Sequence, residues 1–588
     1  FTSAQAQPVS SAEPVAELTA NTPVDGELAG SASQLFKLDV RQGQYIRLAI
    51  DKKDFFLSAT LLSPDRKMIS EHPGRSFGIL RLSFIATSQG VGYLRLNSLE
   101  KDSEKRPYQL RIEIRSPTPR DYEEAAASQL EAEAEALRTK WDQQSLRAAI
   151  ARYSEALKLW TSSGNRVEQL RMMKTIGACY FILSEYNEAL NAYTKALSLS
   201  QSSGSKPLEL DLLNDVGYVY SYLGENAKAL PYFEQVLSTL GADPDVQSLE
   251  ARRRKAQALN NTGEVYYSLS QRRKALDYFQ HALTAWVNAS DRSGEALAHL
   301  NLGYTFTDLG DLQNASEHYN KSLALWQSIG DARGEALTRT ALGGLQTALG
   351  EKQLALEYHR QALPVFQTLG NEQGEAATWN GIAQVYEDLN QPGAALDSYQ
   401  RALQLNRSIG HREFAALSQY YVGRVHQWMG DSKRALEDYQ QSLLLSRQVR
   451  SSKIEAHALR GIAALNEANG ERAKALEQYA EVLRLYERIG DRRWQARTLN
   501  SIGHVSDAIG NKNAALNYFG RALLLSREGE DRGEEVASLY NLARTERNDT
   551  NLEPAINHIS SAINLIESLR IKVTGEQLRT SYFASVHQ

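Results

Sequence analysis

One motif returns along this chain at an almost constant interval. Ala-Leu-x-x-Tyr/Phe-x-x-Ala-Leu, in close variants, places its first Ala at 149, 189, 229, 275, 315, 355, 395, 435, 475, 515 and 555. Nine of the ten intervals are 40 residues; the tenth, 46, takes in Gly241-Ala242-Asp243-Pro244-Asp245. A second motif, Leu/Ile/Val-Gly/Ala-x-x-Tyr, runs in step. It appears at Ile176-Gly177, Val216-Gly217, Leu302-Gly303, Ile382-Ala383, Val422-Gly423 and Ile502-Gly503, with Tyr180, Tyr220, Phe306 and Tyr386 as its aromatic members. A unit this short cannot bury its apolar face alone, so the units must stack, each completing its neighbour's core. The full 588 residues also exceed what one hydrophobic core organises.

Each unit reads as two antiparallel helices. Apolar and small residues recur at i, i+3, i+4 and i+7, as in Ala355, Tyr358, His359, Ala362 and Leu363. Between the two helices stands a Gly followed by an acid, as in Leu309-Gly310-Asp311, Leu349-Gly350-Glu351 and Met429-Gly430-Asp431; Gly330-Asp331 and Gly490-Asp491 repeat this between units. Gly supplies the left-handed residue after a helix, and the acid favours the positive N-terminus of the next. These features resemble the tetratricopeptide repeat family in its long, 40-residue variety, with about eleven units over residues 122–566. The resemblance implies a mainly α fold, a right-handed superhelix (an α-solenoid) whose first helices line a concave groove.

Ahead of the repeats the apolar period is two. Leu35–Val40, Tyr45–Ile50, Tyr93–Leu96 and Tyr108–Ile114 alternate as half-buried strands do, separated by turn signals at Arg41-Gln42-Gly43, Ser63-Pro64-Asp65, His72-Pro73-Gly74 and Gln89–Gly92. Seven or eight short strands over residues 17–115 predict a small antiparallel β-sandwich. Its order of features resembles the pre-peptidase C-terminal-like domain, through Gln34-Leu35-Phe36, Gln42-Gly43-Gln44, Leu61–Asp65 and Gly92-Tyr93-Leu94. No Asp cluster at calcium-loop spacing accompanies it. Residues 116–121, with Ser116-Pro117-Thr118-Pro119, are expected to form a stiff extended linker. Residues 1–16 read as a leader. Ala4-Gln5-Ala6 there fits a small-x-small cleavage site, which favours an extracytoplasmic location over the cytoplasmic alternative.

By the repeat resemblance, the exposed groove positions lie three before, one after, and four or five after the small residue of each first helix. The first set holds Asn214, Asn260, Asn380, Tyr420, Arg460 and Asn500. The second holds Tyr218, Tyr304, Gln384, Arg424, His504 and Arg544, along with Glu264. The third holds Tyr222, Tyr267 and Trp428, with Glu387 and Asp388. Asn261 and Asn301 match the two Asn of the chaperone-tail clamp, but Leu337 and Ala341 stand where that pattern wants Lys and Arg. Asn amides can pair with both C=O and N–H of a peptide backbone, and Tyr and Trp give rigid anchoring area. Kinesin light chain and similar long-repeat proteins use an Asn ladder in this way. The expected partner is therefore a protein or extended peptide. Equally, these Asn can bond neighbouring helices and the Tyr can serve as repeat filler.

Other classes find little support. Sixty-six Lys+Arg against 70 Asp+Glu give a net charge of −4, with no basic bias toward nucleic acid. No apolar run approaches the ~20 residues of a membrane span. The one cysteine, Cys179, can form neither an internal disulfide nor a cysteine zinc site. No His-Glu-x-x-His pair, Gly-x-Ser-x-Gly elbow or phosphate-cradling loop is present, so neither an enzyme nor a cofactor or metal is expected. Residues 567–588 read as a helical segment. Ala562–Arg570 with Val573–Val586 resembles the stretch that joins tetratricopeptide arrays to the CHAT domain, a caspase-like peptidase module. That resemblance implies a scaffold or sensor arm regulating such a domain. A peptide-signal receptor and a cell-envelope assembly scaffold are the alternatives.

Overall fold

The computed structural model describes residues 15–572, apart from 31, 53–56, 75–78, 88, 100–104, 141–142, 243–247 and 548–551. Most of the expected leader, residues 573–588 of the terminal segment, and 243–245 of the long interval lie outside the described residues. The chain divides into two compact units, residues 1–179 with 328–330, and residues 180–327 with 331–588.

The first unit begins with nine strands: β1 (Val15–Glu17), β2 (Val24–Leu28), β3 (Ser33–Val40), β4 (Tyr45–Asp51), β5 (Leu57–Leu62), β6 (Met68–Gly74), β7 (Ile79–Ile85), β8 (Gly90–Ser98) and β9 (Arg106–Arg115). They form two sheets, β1-β3-β8-β5-β6 and β2-β9-β4-β7, antiparallel throughout except for the β1–β3 pair. The alternating residues Phe36 and Leu38, Ile46, Leu48 and Ile50, Leu94 and Leu96, and Leu110 and Ile112 meet in one core. Each contributes about 2 kcal/mol by leaving water.

Two expectations need correction here. His72-Pro73-Gly74 ends strand β6 rather than forming a turn. Because β6 is the edge of its sheet, a Pro without an N–H is tolerated there. Residues 116–121 are not extended throughout: helix α1 (Pro119–Arg138) starts at the second Pro of the linker. Thr118 is its N-cap in extended backbone, and Asp121 accepts a 2.6 Å hydrogen bond from the Thr118 backbone N–H. Proline pre-sets the first helical position even as it bars helix in the residue before it. Helix α1 then lies along β7 and β6, the edge strands on one side of the sandwich. Tyr45 Oη donates to Glu124 Oε2 at 3.1 Å, and the Ser83 and Ser128 hydroxyls meet at 2.9 Å. Covered edges cannot recruit another chain.

Twenty-two helices, paired as eleven units, follow the strands among the described residues. The first helices used below are α3 (Arg166–Ile182), α5 (Lys206–Tyr222), α7 (Leu249–Ser268), α9 (Arg292–Asp308), α11 (Ala332–Ala348), α13 (Glu372–Asp388), α15 (Arg412–Trp428), α17 (Ser452–Ala468), α19 (Arg492–Ala508) and α21 (Arg532–Glu546). The two sequence motifs interlock. A Cβ added at Gly217 would stand 2.7 Å from the Phe233 ring, and one at Gly263 would stand 2.6 Å from Phe279. The small residue of one helix is the socket for the aromatic of the next. Gly310 and Gly430 take φ of 75° and 81° after their helices, as a left-handed closure requires. Asp431 and Asp491 then accept N-cap bonds from the Arg434 and Trp494 backbone N–H at 3.0 and 3.2 Å. Glu351, one methylene longer, makes no such bond.

In the second unit, successive first helices pack directly on one another, α5 on α7, α11 on α13 and α15 on α17. No comparable packing joins successive second helices among the described residues. First helices therefore occupy the inside of the bend. The bend carries this unit back onto itself: Tyr186 reaches Glu413, Ser270 reaches Asp491 and Arg273 reaches Glu530, at separations of 227, 221 and 257 residues.

Candidate functional site

The residues expected to line the groove all stand on first helices, and their surroundings differ. Asn214 on α5 and Asn380 on α13 each carry a side-chain Oδ1 that is shut off from solvent and has no hydrogen-bond partner. Asn260 on α7 donates to Glu264 Oε1 at 2.8 Å and accepts from Asn301 of α9 at 2.9 Å. Asn261 accepts from Gln257 at 2.8 Å. Asn500 of α19 is tied to α21, donating to Ser538 Oγ at 3.0 Å. Asn at one repeat position thus splits into tethered members and members with an unused carbonyl.

Aromatic residues split in the same way. Tyr218 and Tyr222 share a hydroxyl contact of 3.2 Å and pack with Phe181 and Tyr186. Tyr267 lies beneath the Arg272 guanidinium at 4.3 Å. Tyr304 and Trp428 are exposed by 39% and 42%, large apolar surfaces left to solvent. Gln384 is exposed. At the far end, Arg544 donates to His504 Nδ1 at 2.9 Å.

The expected residues converge most closely around α13, α15 and α17. A cavity of about 560 Å³ is lined there by Glu387, Asp388, Tyr420, Arg424, Trp428 and Arg460, with Gln427, Tyr439, Gly461 and Ala464 completing it. Arg424 Nη2 lies 3.3 Å from Glu387 Oε1. Arg460 Nη2 donates to the Tyr420 hydroxyl at 2.8 Å. Burial pushes the Glu387 and Asp388 carboxyls up, opposed by Arg424 at the first and Lys352 at the second. Beneath Tyr420 lies a second layer that the repeat positions did not identify. His457 stacks on Tyr420 and meets the Trp494 ring edge-on at 4.4 Å between centroids.

Glu264, in the α7–α9 network, is pushed up to about 7 by burial, against the amides of Asn260 and Asn301. Cys179 is buried, and burial drives its thiol up to about 12, far from thiolate reactivity at neutral pH. Among the described residues no three His, Cys, Asp or Glu side chains gather as metal ligands, and no helix is long and apolar enough to cross a membrane.

Repeat register, interlocked helix pairs and inward-facing first helices decide the family. A profile described as tetratricopeptide repeat matches residues 134–202, 172–240, 294–368, 414–488 and 454–528, more than half the chain, and a second profile of the same description matches 376–409. The chain belongs to the tetratricopeptide repeat family. Similar solved structures include a Rap protein complexed with competence and sporulation factor, 15% identical, covering 62% of this chain and 99% of that one with a TM-score of 0.42. Another is the STAND protein PH0952 from Pyrococcus horikoshii, with a tetratricopeptide repeat sensor, at 14%, 61%, 55% and 0.38 in the same order. A third is aspartyl phosphate phosphatase F from Bacillus subtilis, at 11%, 62%, 94% and 0.37. No curated protein matches in sequence.

Proposed function

We propose that this tetratricopeptide array holds an extended peptide or protein segment along its first helices, serving as the sensing arm of a CHAT-type peptidase. The observation that carries the binding reading is the α13–α15–α17 cavity. It combines a half-exposed Trp428 with two guanidinium groups, Arg424 and Arg460. Concave sites with an aromatic anchor and a few convergent polar groups are where ligands bind. The peptidase partner rests on the resemblance of Ala562–Val586 alone.

The test is peptide-array binding by the full chain and by the Trp428→Ala/Asn380→Ala double variant. Neither residue belongs to the fully buried class, and thermal unfolding checks that the variant folds. Binding reduced at least about tenfold supports the groove; an unchanged set of bound peptides at unchanged strength removes it. A shift in CHAT peptidase turnover when a bound peptide is added to the two together tests the sensing role.

A further inference from the structure

Within the cavity the two guanidinium groups are not equivalent. Arg424 is matched by the Glu387 carboxylate. Arg460 has only a neutral phenol, Tyr420, as acceptor and the Trp494 ring as neighbour at 5.0 Å. Its Nε is shut off from solvent and has no acceptor at all. A guanidinium taken out of water without a counter-charge is unfavourable, and this one borders an open cavity rather than sealed core.

Resting on the groove reading above, we infer that Arg460 is the anchor for a carboxylate of the bound peptide, from an Asp or Glu side chain or a free C-terminus. Because Nε is enclosed, a ligand carboxylate would meet the Nη end of the guanidinium, where Nη2 already donates to Tyr420, and would supply the counter-charge the protein does not. Gly461 and Ala464 are small, so α17 leaves room beside that fork. Trp428 offers apolar cover to the residue that carries the carboxylate. Glu387 and Asp388 line the same cavity. They set a limit on added negative charge, which disfavours a dianionic phosphate against a singly charged carboxylate. At the same repeat position the two preceding units hold Asn380 and Tyr420 and the following one holds Asn500, so the charged anchor is local to this stretch.

The experiment uses the intact chain with pools of acetylated, amidated heptapeptides in which one position is fixed as Asp or Glu, or as Asn or Gln. A neutral pool with a free C-terminal carboxylate and an inorganic phosphate competitor complete the set. The expected result is that acidic or free-carboxylate pools bind at least about tenfold better than their amide counterparts, and that phosphate does not displace them. Arg460→Gln brings the ratio near one, and Arg460→Lys retains part of it, with thermal unfolding confirming that both variants fold. Neutral pools binding as well as acidic ones, or an acid preference that survives Arg460→Gln, overturns the carboxylate anchor and leaves the groove standing. Displacement by phosphate at equal strength also overturns it. If no pool binds, the groove reading falls with it.

Discussion

Tyr186 Oη donates a 2.8 Å hydrogen bond to Glu413 Oε2 across 227 residues of chain. Ser451 Oγ donates to the other oxygen of the same carboxylate at 2.8 Å. With Ser270–Asp491 at 3.0 Å and Arg273–Glu530 at 2.8 Å, these bonds join stretches more than five repeats apart. They tie distant stretches of the second unit together.

Breaking this join is expected to loosen the coil without unfolding the units. Tyr186→Phe combined with Ser270→Ala removes two hydroxyl donors, each contributing about 1 kcal/mol. Amide exchange should accelerate at residues 182–187 and 410–413, and small-angle scattering should report a larger radius. Unchanged exchange at both segments would mean that the pitch is set within each unit and not by these bonds.

Much of this architecture was legible because it is local and repeated. Gly217 and Phe233, or Gly263 and Phe279, lie 16 residues apart in register, and each unit restates the same fit. The return of Tyr186 to Glu413 has no such signal, because pitch accumulates from small rotations between units. Thr118-Pro119 with Asp121 opens α1, although two prolines one residue apart fit an extended linker equally well in sequence. At the site, Asn214, Asn260 and Asn500 recur at one repeat position expected to be exposed, yet all three are buried, and the sequence carries no signal for that. It could not tell which members were tethered, since Asn260 depends on Glu264 and Asn301, and Asn500 on Ser538.

Adjacent glycines on α11 should respond in opposite directions to the same change. A Cβ on Gly343 would meet the His359 ring at 2.6 Å, whereas one on Gly344 meets nothing within 4 Å. Gly343→Ala is therefore expected to destabilise by about 1–3 kcal/mol through overpacking. Gly344→Ala should stabilise by up to about 1 kcal/mol through helix propensity. Chemical denaturation of both variants checks this, and equal shifts of either sign would refute the socket.

His359 occupies the position held by Tyr319, Tyr399 and Tyr439 in neighbouring units. It is buried, neither ring nitrogen has a partner, and burial lowers it from 6.5 to about 4. The folded chain therefore resists protonation that the unfolded chain accepts. Stability from this residue is intact above about pH 6.5 and is lost as pH falls toward 4, by up to about 3 kcal/mol. Tyr319 meets Thr307 at 3.3 Å, and Thr347 stands at the same place relative to 359. His359→Tyr should raise Tm, with the gain widening between pH 6.5 and 4. A gain that stays constant over that range would place the acid sensitivity elsewhere, for example at His299 or His457.

Glu264 predicts the opposite slope. Its carboxyl is raised from 4.5 to about 7, so the folded chain holds a proton that the unfolded chain has released. Stability from this group is present below about pH 4.5 and falls as pH rises through 7. Glu264→Gln keeps an oxygen to accept from Asn260 and removes the buried charge. The variant should match the parent at pH 5 and exceed it at pH 8, read as Tm at both values. Parent and variant falling in parallel from pH 5 to 8 would show that Glu264 ionises freely, and that Asn260 and Asn301 already provide the stabilisation the carboxylate needs.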